Sequence, residues 1–431
     1  MKKVKEIQDK KVNARLYPIY KMISWDLLFY YSIIYLFLVQ AKGFSPSQVL
    51  IGDAFFTASC LILQIPLGLL VDKIGKKNSL VFANICLCIY TFILLIVNSY
   101  TLLLIAFFID AIGYSVKGIC ETNILYDSLP RGKKRGGLYS KIDGVGTSRY
   151  YVIDAVTSLA AGFAFVISPY LPIILSLLCN IIATILSTKF RHTHIPGEED
   201  IRIGSREYFK ELKEAIKFTF TSKRMLCLMM FFALIAGLNY NLTTFRSSIL
   251  EQIKLPEQYF GIVFALIQIV AAICSGMQKI IHKKFRNRTL TFLGIPLTTF
   301  LILIGLFATF TRNANSFTAY IIISLFIVLG GVKGAHNVLT HRYLNNFTNK
   351  NIRTKLSTIR NIIYNIFSII ISIFGAILLE NTNASNALMI IGGGSTLILI
   401  LLLRYMKDKV GLSPENYSDE DLKYSHLINM R

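Results

Sequence analysis

The 431-residue sequence has few charged residues, few histidines and a single tryptophan: charged side chains make up 16% of it, His occurs 6 times, and acids number 24 against 46 Lys and Arg. It contains no GxxxxGK[ST] phosphate-binding loop, which excludes a nucleotide-driven pump within this chain. No HExxH pattern occurs, and His336 and His341 stand five apart, off a common helix face, so a zinc-dependent intramembrane enzyme is not expected. The seven Cys (Cys60, Cys86, Cys88, Cys120, Cys179, Cys227 and Cys274) form no CxxC pair. They read as small apolar core residues rather than a disulfide or metal framework. No cofactor is implied.

What is present is apolar. Hydrophobic residues make up 54% of the chain. They gather in runs of about 20 residues, the length a helix needs to cross a bilayer core of about 30 Å. The fold class expected is an all-α polytopic membrane protein. Twelve spans are read at 18–40, 48–70, 79–98, 101–128, 142–168, 170–189, 225–248, 258–280, 290–310, 316–341, 356–380 and 385–405. Alternate connections, counted with both tails and the span ends that adjoin them, hold 39 of the 46 Lys and Arg. The opposite connections hold only Lys42, Lys254 and Arg312, and four basic residues lie deeper within spans: Lys117, Arg149, Arg246 and Lys333. This asymmetry places both termini in the cytoplasm. The net charge of +22 then serves anionic lipid headgroups and requires no nucleic acid.

The longest connection, 190–224, divides the spans six and six. Domains are therefore expected at 1–189 and 225–405, with a linker at 190–224 and a tail at 406–431. Within the linker, Phe209, Leu212, Ile216 and Phe220 recur at helical spacing after Ser205, a plausible N-cap, and suggest a helix lying on the membrane surface. Val116–Gly118 ("VKG") recurs as Val332–Gly334, late in the fourth span of each half. Parallel halves related by an axis along the membrane normal are a transporter architecture.

Between the second and third spans stands "GLLVDKIGKK". Gly68 is expected to allow close helix approach and Gly75 a tight reversal. Asp72 can pair with a base or with exposed N–H groups, and Lys73, Lys76 and Lys77 hold the loop at the inner surface. The stretch resembles the signature G-x-x-x-D-[RK]-x-G-[RK]-[RK] of the major facilitator superfamily (MFS). The resemblance implies the MFS fold: two six-helix bundles, 12 transmembrane helices in all, related by pseudo-two-fold symmetry. It assigns a gating role to Gly68, Asp72, Lys73, Gly75, Lys76 and Lys77. The matching turn of the second half, from Gly276, has Ile280 where the Asp would fall. Two features of proton-linked exporters are missing: a fourth-span Arg near Ile109 and Asp110, and a fifth-span Gly-Pro in "SLAAGFAF".

Ionisable groups inside spans cost about 2.5–3.5 kcal/mol each on insertion scales, so they border a cavity or a partner. Those read as coupling or substrate residues are Asp26, Asp110, Lys117, Glu121, Arg149, Asp154, Arg246, Lys333 and His336. Asp110, Lys117 and Glu121 share a helix face, Lys117 and Glu121 can pair at i,i+4, and Arg149 is expected to bond a span-four acid. The resemblance further implies that spans one, four, seven and ten line the pathway, with Lys117 and Lys333 opposed across it. The expected function is secondary transport by alternating access: proton-coupled efflux of a small molecule or short peptide by a monomer in a bacterial cytoplasmic membrane. Proton-coupled uptake of an anionic nutrient is the alternative, and a non-transporting receptor or immunity protein on the same fold is the different-class rival. Asp72→Asn is expected to slow flux in proteoliposomes while the protein remains inserted and folded; undiminished flux would reject the gating role.

Overall fold

In a computed structural model, residues 2–130, 135–192, 213, 216–217, 219–221, 223–285, 289–311, 313–346 and 350–409 are described. Eleven helical stretches among them are long and apolar enough to cross a membrane. The helices are α1 (Lys2–Ser24), α2 (Ile34–Leu36, continued by a π-helical turn Phe37–Ala41), α3 (Pro46–Ile74), α4 (Lys76–Ile96), α5 (Tyr100–Ser128), α6 (Arg135–Ile167) and α7 (Leu171–Thr188). They continue as α8 (Lys223–Gln252), α9 (Gln258–Phe285), α10 (Thr289–Phe310), α11 (Phe317–Asn346), α12 (Lys350–Asn381) and α13 (Ala384–Lys409). The expected linker helix lies largely outside the described residues, as does the tail beyond Lys409.

Local chemistry explains several boundaries. Ser45 caps α3 with a capping box: its hydroxyl accepts from Gln48 N, and Gln48 Oε1 accepts from Ser45 N, with Pro46 at the first helical position. This satisfies N–H groups that would otherwise be orphaned. Gly75 separates α3 from α4 with φ +90°, a conformation that L side chains resist.

The first span departs from the expected continuous helix over 18–40. α1 stops at Ser24, residues 25–33 form turns, and regular structure resumes at Ile34. Asp26 supplies a physical reason: its Oδ1 accepts both Leu27 N–H at 3.0 Å and Tyr31 OH at 2.7 Å, and Phe29 takes φ +60°. A carboxylate that competes for backbone donors favours a turn over a helix. Irregular backbone at membrane depth is tolerated where protein or water satisfies it.

The chain divides into two compact units: Met1–Ile201 with Pro256–Ala265, and Arg202–Leu255 with Leu266–Arg431. In the first unit α4 packs on α5 and α7, and α1 packs on α5, α6 and α7. In the second, α10 packs on α11 and α13, and α8 packs on α11, α12 and α13. These pairings correspond position for position, whereas the packing of α3 on α5 is a feature of the first unit.

Between apolar helices in lipid, close packing replaces the hydrophobic effect as the source of adhesion, so small residues mark the crossings. Along α10 and α13, a Cβ at Gly305 would stand 2.6 Å from Ser385 O, and one at Gly392 2.9 Å from Ile302 Cγ1. A Cβ at neighbouring Gly393 would meet nothing within 4 Å. Gly305→Leu is therefore expected to destabilise the purified protein by about 1–3 kcal/mol or more, whereas Gly393→Ala stays within about 0.5 kcal/mol. Thermal unfolding in detergent measures both, and equal melting temperatures would contradict this packing.

Candidate functional site: the polar interior of the first unit

Two polar clusters occupy the first unit. One is at the end carrying the N-terminus. There, Tyr17, Tyr20, Val71, Leu80, Val116, Cys120, Leu125 and Phe190 form an apolar core around the turn between α3 and α4. Over this core Lys76 Nζ donates to Asp127 Oδ2 at 2.6 Å. Next in sequence, Ser128 Oγ accepts from Asn13 Nδ2 at 3.0 Å. Asn13, fully buried, also donates to Arg191 O and accepts from Arg191 N. The signature loop, the end of α5, the N-terminal helix and the start of the linker are thus joined by direct bonds.

The structure locates the signature residues individually. Asp72 lies in the last turn of α3, Lys73 is exposed, and Lys76 and Lys77 open α4. Gly68 does not mark a close helix approach, because a Cβ there would meet nothing within 4 Å.

The second cluster lies where α1, α5 and α6 meet. Lys21 is 5% exposed, and its Nζ donates to Asp143 Oδ1 at 2.5 Å. Tyr17 OH donates to the same oxygen at 2.8 Å. The Lys21 ammonium also lies 4.8 Å from the Trp25 ring centre, within cation–π range. A Cβ at Gly146 would stand 3.1 Å from Lys21 Cδ and 3.3 Å from Pro18 Cα, so this crossing needs a small residue on α6. Burial, followed by Asp143 and Glu121, pushes the Tyr139 phenol up to about 12.

The span-four charges do face one way, but their partners differ from those expected. Glu121 is buried and accepts from Ser24 Oγ at 3.3 Å, with Lys117 and Lys21 as the cations within electrostatic reach. No direct Lys117–Glu121 pair forms. Ser24, at the end of α1, takes the carboxylate instead. Arg149 does not bond a span-four acid either: it is exposed on α6 and makes no ion pair among the described residues. Lys21 and Asp143 do the pairing between helices. Sequence reasoning missed both, because Lys21 continues the basic N-terminal run and Asp143 sits at the start of an apolar segment. Position 21 within the first apolar run was the available signal.

Towards the other end of α5, Asp110 lies within electrostatic reach of Asp26 and Lys117. Asp26 is held by Tyr31 and Leu27 N–H, and Asp154 is buried and bonded to Tyr150. Tyr30 and Tyr90 hydroxyls hydrogen-bond each other nearby, and Trp25 stacks edge-on against Tyr150 and Tyr151. In the second unit Arg246 is buried on α8. His336 is buried on α11, with Nε2 3.1 Å from Phe232 O and its ring edge-on to Phe232. Lys333 is exposed on α11. Among the described residues no group of three His, Cys, Asp or Glu could hold a metal ion.

Helices long enough to span a bilayer, corresponding helix pairings in two units and charges concentrated inside define a class, the polytopic secondary transporters. The Major Facilitator Superfamily profile matches residues 20–332, and the chain belongs to that superfamily. Solved structures with a similar fold include the nucleoside transporter NupG, at 15% identity over 93% of this chain and 99% of that one, with TM-score 0.73. A D-xylose–proton symporter is 12% identical over 91% and 96%, TM-score 0.62. A bacterial homologue of the human lysosomal transporter Spinster, in an inward-facing conformation, is 13% identical over 96% and 98%, TM-score 0.64. A search of curated protein sequences finds no match.

The Lys76–Asp127 pair yields a prediction. Its two side chains are 28% and 8% exposed, between the surface and buried cases. Asp127→Asn is expected to destabilise the purified protein by about 1–3 kcal/mol. The charge-swapped double variant Lys76→Asp with Asp127→Lys should recover part of that loss. Additive losses in the double variant, read by thermal unfolding, would show that the pair does not couple.

Proposed function

We propose that the protein is a proton-coupled secondary transporter of a bacterial cytoplasmic membrane that exports a small molecule or short peptide by alternating access, with both termini cytoplasmic. The observation that carries the proton coupling is Asp110: it is buried, makes no hydrogen bond among the described residues, and lies within reach of the Asp26 carboxylate. Two carboxyls so placed can share one proton, and its uptake from or release to water changes the charge of the interior by one unit. Glu121, held between Ser24 on one helix and the cations Lys117 and Lys21, is the second exchange point. Because its partners come from α1 and α5, a change in its charge alters what holds these helices together. The Lys76–Asp127 pair and the Asn13 bonds at the same end as the signature loop support a gating role for that end. Proton coupling has a precedent in this fold, since one of the similar structures is a D-xylose–proton symporter.

Uptake of an anionic nutrient is the second reading, favoured by the buried Lys117 ammonium. The two differ in sign. Cells producing the protein are expected to hold less of at least one solute than cells producing Asp110→Asn, as read by untargeted mass spectrometry of cells and medium. A protonophore should abolish the difference. Accumulation inside the cells would select uptake, and a difference that survives the protonophore would reject proton coupling. Glu121→Gln is expected to flatten the pH dependence of the same flux; an unchanged pH profile would shift the role to Asp26 or Asp154.

A further inference from the structure

Most ionisable side chains in the interior of the first unit have identifiable partners. Asp143 has Lys21 and Tyr17, Glu121 has Ser24, Asp26 has Tyr31, and Asp154 has Tyr150. Asp110 and Lys117 differ. They are 9% and 5% exposed, yet neither makes a hydrogen bond or an ion pair among the described residues. Each is linked to other charges only through space: Asp110 to Asp26 and Lys117, and Lys117 to Asp110 and Glu121. A buried ion without a bonded counter-charge carries a large desolvation penalty. Two such ions of opposite sign on one helix form an arrangement that needs explaining.

Their geometry is specific. Positions 110 and 117 are seven residues apart, two turns of α5, so they lie on one face about 10.5 Å apart along the axis. Tyr114 falls between them on that face and is 50% exposed. Tyr31, from the broken part of the first span, lies within reach of Asp26, Asp110 and Tyr114. The order along the face is therefore carboxylate, aromatic ring, ammonium. That order complements a solute with an ammonium at one end and a carboxylate at the other. A peptide extends about 3.3–3.6 Å per residue, so two or three residues match the spacing.

We infer that α5 binds a zwitterionic solute of di- or tripeptide length, with its ammonium at Asp110, its carboxylate at Lys117 and its middle against Tyr114. This rests on the transporter reading and narrows its substrate class. Charge-assisted bonds at both ends are made only by a solute carrying both groups. A solute lacking one end leaves a protein charge unpaired, so selectivity follows from the same penalty.

The test uses the full-length protein in detergent, with binding read by thermophoresis. The probes are L-alanyl-L-alanine, tri-L-alanine, N-acetyl-L-alanyl-L-alanine and L-alanyl-L-alanine amide. The free peptides are expected to bind at least about tenfold more tightly than either blocked form. Lys117→Gln should erase the preference for acid over amide and keep the preference for free amine over N-acetyl. Asp110→Asn should do the reverse, and Lys117→Arg should retain both. These ratios compare ligands on one variant, so a change in folding alone does not move them. Blocked peptides that bind as well as free ones, or an acid-to-amide ratio unchanged in Lys117→Gln, would overturn the inference. Protonophore-sensitive export without end-group selectivity would retain the transporter reading and reject the zwitterion site. End-group selectivity with protonophore-insensitive export would do the opposite.

Discussion

An ammonium group removed from water must find compensation at once, and Lys21 finds it in three ways. Asp143 takes its proton-bearing end at 2.5 Å, Trp25 offers a ring face at 4.8 Å, and Gly146 gives its stem room between α1 and α6. The rest of the polar interior depends on this contact. It fixes the register of α1 against α6, which places Ser24 opposite Glu121 and brings the turn at Asp26 beside Asp110. Were α1 to slide by one residue, each of these polar partners would rotate by about 100°, and several buried charges would lose their bonds together.

This constraint links energetics to function. A transporter interior has to hold charge without locking it, because a fully bonded network resists rearrangement while an unbonded one is too expensive to fold. The first unit divides these tasks by position. Lys21, Asp143, Tyr17 and Asn13 form tight bonds near the N-terminal end and set the geometry. Further along α5 the bonding thins out to Asp110 and Lys117, whose charges are balanced only through space. The broken first span lies beside this looser region, and the tighter one lies beneath the signature loop. Positioning and exchange are thus segregated along the same helices.

Eleven of the twelve expected spans were legible because lipid imposes a coarse rule, an apolar run of fixed length. The signature loop was legible too, and Gly75 takes the positive φ expected of a reversal. What could not be read depended on tertiary competition. Lys117 and Glu121 have ideal spacing for a pair, but the sequence does not show that Ser24 of another helix reaches the carboxylate. Arg149 looked like the natural partner for a span-four acid, but its position on α6 turns it outward. Lys21 was obscured by the basic run before it, and Gly68, part of the motif, has open space where a close neighbour was expected. The break at Asp26 needed knowledge of Tyr31's position, since an acid in an apolar run signals function without saying whether the helix continues.

Transport along α5 requires its charges to border water rather than acyl chains, and substituted-cysteine labelling distinguishes the two. In a background whose seven native cysteines are replaced, Lys117→Cys and Ile105→Cys, the latter an exposed apolar position on the same helix, are compared for reaction with a membrane-impermeant methanethiosulfonate. Faster reaction at position 117, slowed by a saturating solute, is the predicted result. Position 117 reacting no faster than position 105 would place Lys117 against lipid and exclude a hydrated pathway along α5.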